Sequence, residues 1–194
     1  MGKVLEYFSN LWYSLIRIVY SRGVKLMNKY SAFDIATWFI YKTNAEKKEA
    51  QANNDDYEVY ENLTHLKLQK LLYFAQGIAL SMTGKPIFTE NIEAWEHGPV
   101  VKKLFNKFSS KGRQEITMDD VLSDIEVIRK IEMDSCTRDI LNMTYENFAI
   151  YTAWQLRNMT HEKNSPWYLS YVPNKNKVIS QDLIKKYFDK EIME

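Results

Sequence analysis

Between Thr64 and Pro86 the chain carries its most apolar periodic stretch. Leu68, Leu71, Leu72, Ala75, Ala79 and Met82 step by three and four residues, and Leu66 and Tyr73 widen the stripe. That spacing predicts an α-helix at the centre of the core. Thr64 is placed to cap its start, where a hydroxyl accepts a bond from an otherwise unpaired N–H. Gly84 suits the left-handed position just past its end, and Pro86 blocks any continuation.

The remaining elements are read around this helix. Phe33, Ala36, Trp38, Phe39 and Ile40 predict a helix from Phe33 to the mid-forties, with Ser31 or Asp34 near its cap. Ile92–Trp95 reads as a short strand pairing with Pro86–Phe88. Gly98-Pro99 reads as a helix start, followed by Val100, Val101, Leu104, Phe105 and Phe108 at helical spacing. Amphipathic patterns predict helices within Asp119–Met133 and Arg138–Asn147. Thr152 and Gln155 form a capping-box pair opening a short helix to Met159, and Ser180 caps a terminal helix through Phe188. The fold class is mainly α: a compact, single-domain helical array with one short β-hairpin near 86–95. A length of 194 residues with 45% hydrophobic and 14% aromatic content is enough for one folded core.

Charge and cysteine usage exclude several functions. Lys plus Arg (26) nearly cancels Asp plus Glu (25), leaving a net charge of +1 and no global field for nucleic acid or an anionic membrane. Lys102, Lys103, Lys107, Lys111 and Arg113 line up locally, as the solvated face of an amphipathic helix does, and direct DNA binding is disfavoured. The single cysteine, Cys136, permits no internal disulfide and no multi-cysteine metal cage, and fits a reducing, cytoplasmic setting. Gly77, Gly84, Gly98 and Gly112 are too scattered to cradle a phosphate. No segment reaches the roughly 18–20 uninterrupted apolar residues of a membrane span.

Two corners concentrate the chemistry. Glu93, Trp95, Glu96, His97, Gly98, Pro99 and Val100 form one; Thr160, His161, Glu162, Pro166 and Trp167 form the other. Each brings Trp, His and Pro together at a change of chain direction. Three readings stand side by side. The histidines fix turns by bonding backbone groups while the tryptophans pack as anchors; the corners contact a protein partner; or His97, His161 and a carboxylate bind zinc. His161-Glu162 starts like a zincin helix, but Ser165 stands where the second histidine belongs. No catalytic residue, metal or cofactor is assigned, and the chain reads as a non-enzyme.

The same residues carry a resemblance. Thr64–Gly77, Thr83–Pro86, Glu93–Val100, Thr160-His161 and Pro166-Trp167 occur in the order and rough spacing of the Panacea domain family. That family includes SocA-like antitoxins and phage-associated GepA-like proteins. The resemblance runs from about Tyr30 to Phe188. It implies an antitoxin that neutralises a cognate toxin protein by direct binding, or that delivers the toxin to a protease as an adaptor. Exposed parts of the two corners are the implied recognition surface. The domain is then residues 27–194. Within it the polar stretch 43–62, with eight acidic or basic residues from Glu46 to Glu61, reads as a charged surface insertion.

Residues 1–26 form an N-terminal amphipathic extension beyond the resemblance. Leu11, Leu15, Ile18 and Val19 share a helical face, while Lys3, Arg17, Arg22 and Lys25 outnumber Glu6. Docking on the domain, contact with a membrane surface and mere translation from an upstream start remain open, with membrane contact not favoured. A small hydrolase using His97 and His161, and a mobile-element regulator of host proteins without a paired toxin, are the functional rivals.

Overall fold

A computed structural model describes residues 30–53, 62–121 and 125–193. Among them the elements run α1 (Ala32–Asn53), α2 (His65–Thr83), β1 (Glu93–Trp95), β2 (Gly98–Val100), α3 (Lys102–Phe108), α4 (Ile125–Met133), α5 (Ser135–Phe148), α6 (Ala153–Thr160), α7 (Pro166–Ser170), β3 (Lys177–Val178) and α8 (Gln181–Met193). Single 3₁₀ turns lie at Ser109–Lys111 and Met118–Val121. The chain is mainly α with one small antiparallel sheet.

Helix α2 is the hub. Thr64 caps it by accepting from the Lys67 N–H, and Gly84 ends it at φ +70° with its N–H donated to the Leu80 carbonyl. Every residue from Lys67 to Met82 is buried, because α1, α3, α5, α6, α8 and β2 all pack around it. Phe74 stacks on Phe148 of α5 at 4.0 Å between ring centroids. At Gly77 an added Cβ would fall 2.3 Å from the Phe188 ring, so the missing side chain lets α8 lie directly on α2.

A helix buried on all sides must satisfy its polar side chains internally. Three of them hold loop backbone in place. Gln76 Oε1 accepts from Ile87 N–H (2.9 Å) and Phe88 N–H (3.3 Å), and its Nε2 donates to the Phe88 carbonyl. Gln69 Oε1 accepts from Val101 N–H at 2.7 Å and its Nε2 donates to the Val101 carbonyl at 3.3 Å. Lys70 Nζ donates to the Pro99 carbonyl at 2.9 Å.

These bonds correct two expectations. Residues 98–100 are a strand rather than a helix start: β2 pairs with β1 (Glu93↔Val100, Trp95↔Gly98), and α3 begins only at Lys102. The sheet order β2-β1-β3 leaves β2 at an edge, where proline's missing N–H is tolerated. Gln69 and Lys70 hold the Pro99 and Val101 backbone, so the segment stays extended for two residues beyond the proline. Likewise β1 pairs with 98–100 and with β3, not with 86–88. Gln76 occupies the backbone of 87–88, and Phe88 makes an isolated parallel bridge with Tyr30.

Other elements follow the sequence closely. Asp134 caps α5, Thr152 and Gln155 make a reciprocal capping box on α6, and Ser180 Oγ accepts from Leu183 N–H. Ser31 and Asp34 cap α1 reciprocally. That helix runs to Asn53, past its expected end in the forties. Its charged second half pairs Lys42 with Glu46 and Lys47 with Glu115. Residues 54–61 of the expected insertion, and all of 1–26, lie outside the described residues.

Candidate functional site: two joined corners

The β1–β2 turn and the α6–α7 corner meet. Helix α6 ends on His161, whose N–H donates to the Arg157 and Asn158 carbonyls. The chain reverses through Asn164 at φ +70°. Ser165 then caps α7: its Oγ accepts from Tyr168 N–H (3.1 Å) and donates to the Thr160 carbonyl (2.7 Å), with Pro166 in the first turn. This delivers Trp167 to the sheet, where its Nε1–H donates to the Trp95 carbonyl at 2.7 Å. The His161 ring packs on the Trp167 indole at 3.5 Å between centroids. Its Nδ1 lies 2.7 Å from the Arg157 carbonyl and its Nε2 3.2 Å from the Glu96 carbonyl.

The predicted site residues therefore divide by burial. Gly98, Pro99, Val100, Thr160, Pro166 and Trp167 are buried and act as scaffold. Glu96 and His97 are exposed at the turn, and Glu93, Trp95, His161 and Glu162 are partly exposed. Trp95 donates to Glu93 Oε2 at 2.9 Å and packs on Phe105, which in turn packs on His65. Burial lowers the pKa of His161, and the Arg157 and Lys70 charges lower it further, against hydrogen bonds to the Arg157 and Glu96 carbonyls that raise it.

Beneath the corners lies a group that the sequence reading did not single out. Lys70 is completely buried. An added Cβ at Gly98 would sit 2.7 Å from its Nζ and 2.9 Å from Thr160 Oγ1. Burial pushes its pKa down to about 7, with the nearby Arg157 charge adding to the shift. Burial also lowers the His65 pKa, helped by Lys70. The sequence signal for Lys70 is weak: beside an apolar stripe a lysine reads as solvated, and only the packing of other elements all round α2 buries it.

Other candidate chemistry is engaged elsewhere. Among the described residues, no group of three His, Cys, Asp or Glu side chains lies close enough together to hold a metal ion. Cys136 is buried, and burial, then Asp134 and Asp139, push its thiol up to about 11, away from the reactive thiolate. On α3 and just past it, Lys103 and Lys111 face Glu90 (3.9 Å) and Asp120 (2.5 Å), and Lys107 sits over the Phe33 ring. Among the described residues no helix is long and apolar enough to cross a membrane.

Residues 68–168 match the family described as antitoxin SocA-like, Panacea domain. The chain belongs to this family. Antitoxin SocA of Caulobacter vibrioides (strain NA1000 / CB15N) is 31% identical to it over 109 residues, covering 54% of this chain and 58% of the relative. The match thus spans less than two thirds of that relative. No solved structure matches the chain. The Panacea-domain span contains Lys70, both corners, all of α6 and the first turn of α7, whereas α1 and α8 lie outside it.

Proposed function

We propose that this Panacea-domain protein is an antitoxin that neutralises a cognate toxin by binding it directly. The recognition surface is the exposed rim of the joined corners: Glu93, Trp95, Glu96, His97, His161 and Glu162. The observation that carries this reading is the Trp167–Trp95 hydrogen bond, reinforced by His161 on the Glu96 carbonyl. Two segments far apart in sequence are locked into one rigid edge, which keeps the ordering cost of association low. Neutralisation by occlusion needs no turnover chemistry, and the family relative is named an antitoxin.

The test is co-expression with the gene beside this one, scoring growth and co-purification together. A toxic neighbour, rescued and recovered in a stable complex, supports direct neutralisation. Rescue with disappearance of the toxin protein and no complex points instead to delivery to a protease. A harmless neighbour leaves the regulator of host proteins as the better account. Hydrolysis that depends on added metal and is abolished in both His97→Ala and His161→Ala would favour the hydrolase.

A further inference from the structure

We propose that the Trp154–Arg157 pair on α6 anchors a carboxylate side chain of the protein partner; this rests on the antitoxin reading above. None of the ion pairs among the described residues includes Arg157 or Lys70. Arg157 Nε–H is buried and has no acceptor. Its Nη1 donates only to the neutral amide oxygen of Asn158, at 3.1 Å. Lys70 has the Pro99 carbonyl alone, although an ammonium carries three donors. Arg157 is partly exposed and matched by no acid, so the outer end of its guanidinium leaves the place of the acid to a partner.

The setting suits an anchor. The guanidinium lies 4.6 Å over the Trp154 ring, and that indole is 57% exposed. Arginine and tryptophan dominate binding energy at protein interfaces, and the guanidinium fork matches a carboxylate's two oxygens. The backbone is fixed beforehand: the Arg157 carbonyl receives the His161 N–H and Thr160 Oγ1–H and faces His161 Nδ1. The free protein tolerates the cluster because burial, and then the Arg157 charge, hold Lys70 at about 7, while His161 on the α6 side and His65 on its own helix have their own pKa values lowered by burial, with Lys70 adding to the shift. Nucleic acid is the poorer fit, since a phosphate backbone calls for a track of free cations, and Lys103 and Lys111 already face carboxylates.

The test uses the full chain, ¹⁵N-labelled and titrated with N-acetylglutamate, with N-acetylglutamine as neutral control at matched ionic strength. Glutamate is expected to shift the Arg157 Nε–H and Gly98 amide signals, glutamine to leave them in place, and Lys70→Met to weaken the response severalfold. Equal responses to the two probes, or none, overturn the proposal. Inorganic phosphate binding much more tightly than glutamate overturns it in favour of a phosphate ligand. In parallel, Arg157→Gln is expected to weaken co-purification with the neighbouring gene product roughly tenfold or more, with melting unchanged. An unweakened complex overturns the anchor. If that product does not bind the wild-type protein at all, the antitoxin reading fails while the glutamate titration still decides the anchor.

Discussion

At Lys70 a proton becomes a stability variable. The folded pKa is about 7 and the ordinary value 10.5, so between these pH values the unfolded chain binds a proton that the folded chain does not. Stability must rise with pH across that window, by about 1.4 kcal/mol per unit. The Cys136 thiol, raised from 9.0 to about 11, has the opposite sign, because above pH 9 the unfolded chain loses its proton first. The net rise is therefore confined to pH 7–9 and amounts to roughly 2 kcal/mol. The lowered pKa values of His65 and His161 add a slope of the same sign only below about 6.5. Urea midpoints at pH 7, 8 and 9 should climb for the wild-type protein and stay level for Lys70→Met; parallel curves would remove Lys70 as the source. Gly98 tests the same spot sterically. At φ +102°, with Lys70 Nζ 2.7 Å and Thr160 Oγ1 2.9 Å from an added Cβ, Gly98→Ala combines backbone strain with overpacking. It should cost about 2–4 kcal/mol by urea unfolding, and a loss under 1 kcal/mol would mean that the cluster yields easily.

At the scale of elements, local and tertiary signals part company. Thr64, Gly84, the Thr152–Gln155 box and Ser180 were legible because a cap bonds residues three or four positions away, and that chemistry is written in adjacent sequence. Pro99 was misread because proline suits a helix start and an edge strand equally, and the choice falls to Gln69 and Lys70, some thirty residues earlier. The Pro86–Phe88 hairpin failed for the same reason, its backbone being taken by Gln76. The site shows the same division. The two Trp–His corners could be recognised as features, but their joining through Trp167 and Trp95 spans 72 residues, and neither Lys70 nor Arg157 was singled out. The two kinds of bond should differ measurably. Thr152→Ala removes one exposed cap and should cost about 1 kcal/mol. Gln69→Leu strands the buried N–H and carbonyl of Val101 and should cost about 2–5 kcal/mol. It should also speed hydrogen exchange at Val101. If the cap proves the more costly loss, the account of α2 as the tether of β2 is wrong.

At the scale of the molecule, the family span and the folding unit do not coincide. The Panacea match stops at residue 168, yet α8 covers a face of α2 that nothing else covers in the same way. Phe188 packs on Tyr73 at 5.7 Å and on Phe74 at 6.2 Å and fills the space over Gly77. Ser81 donates to Asp189 at 2.8 Å across the same contact. Without α8, the hub helix would expose aromatic rings and a glycine seam to water, while the corners would keep all their direct bonds. A chain ending at Ser180 should thus retain most of its far-UV helical signal but lose near-UV aromatic ellipticity and bind a hydrophobic dye, as a loosely packed state does. Phe188→Ala in the full chain is the milder version, expected to cost about 3–5 kcal/mol while unfolding remains a single transition. Given the proposed antitoxin role, rescue of a toxic neighbour by the truncated chain decides what this means. If rescue survives with native-like near-UV signal, the chain up to Ser180 carries both fold and recognition without α8. If rescue and aromatic signal fall together, the rigid edge at the corners depends on a core closed from outside the matched span, since α6 and β2 rest on the same α2 that α8 completes.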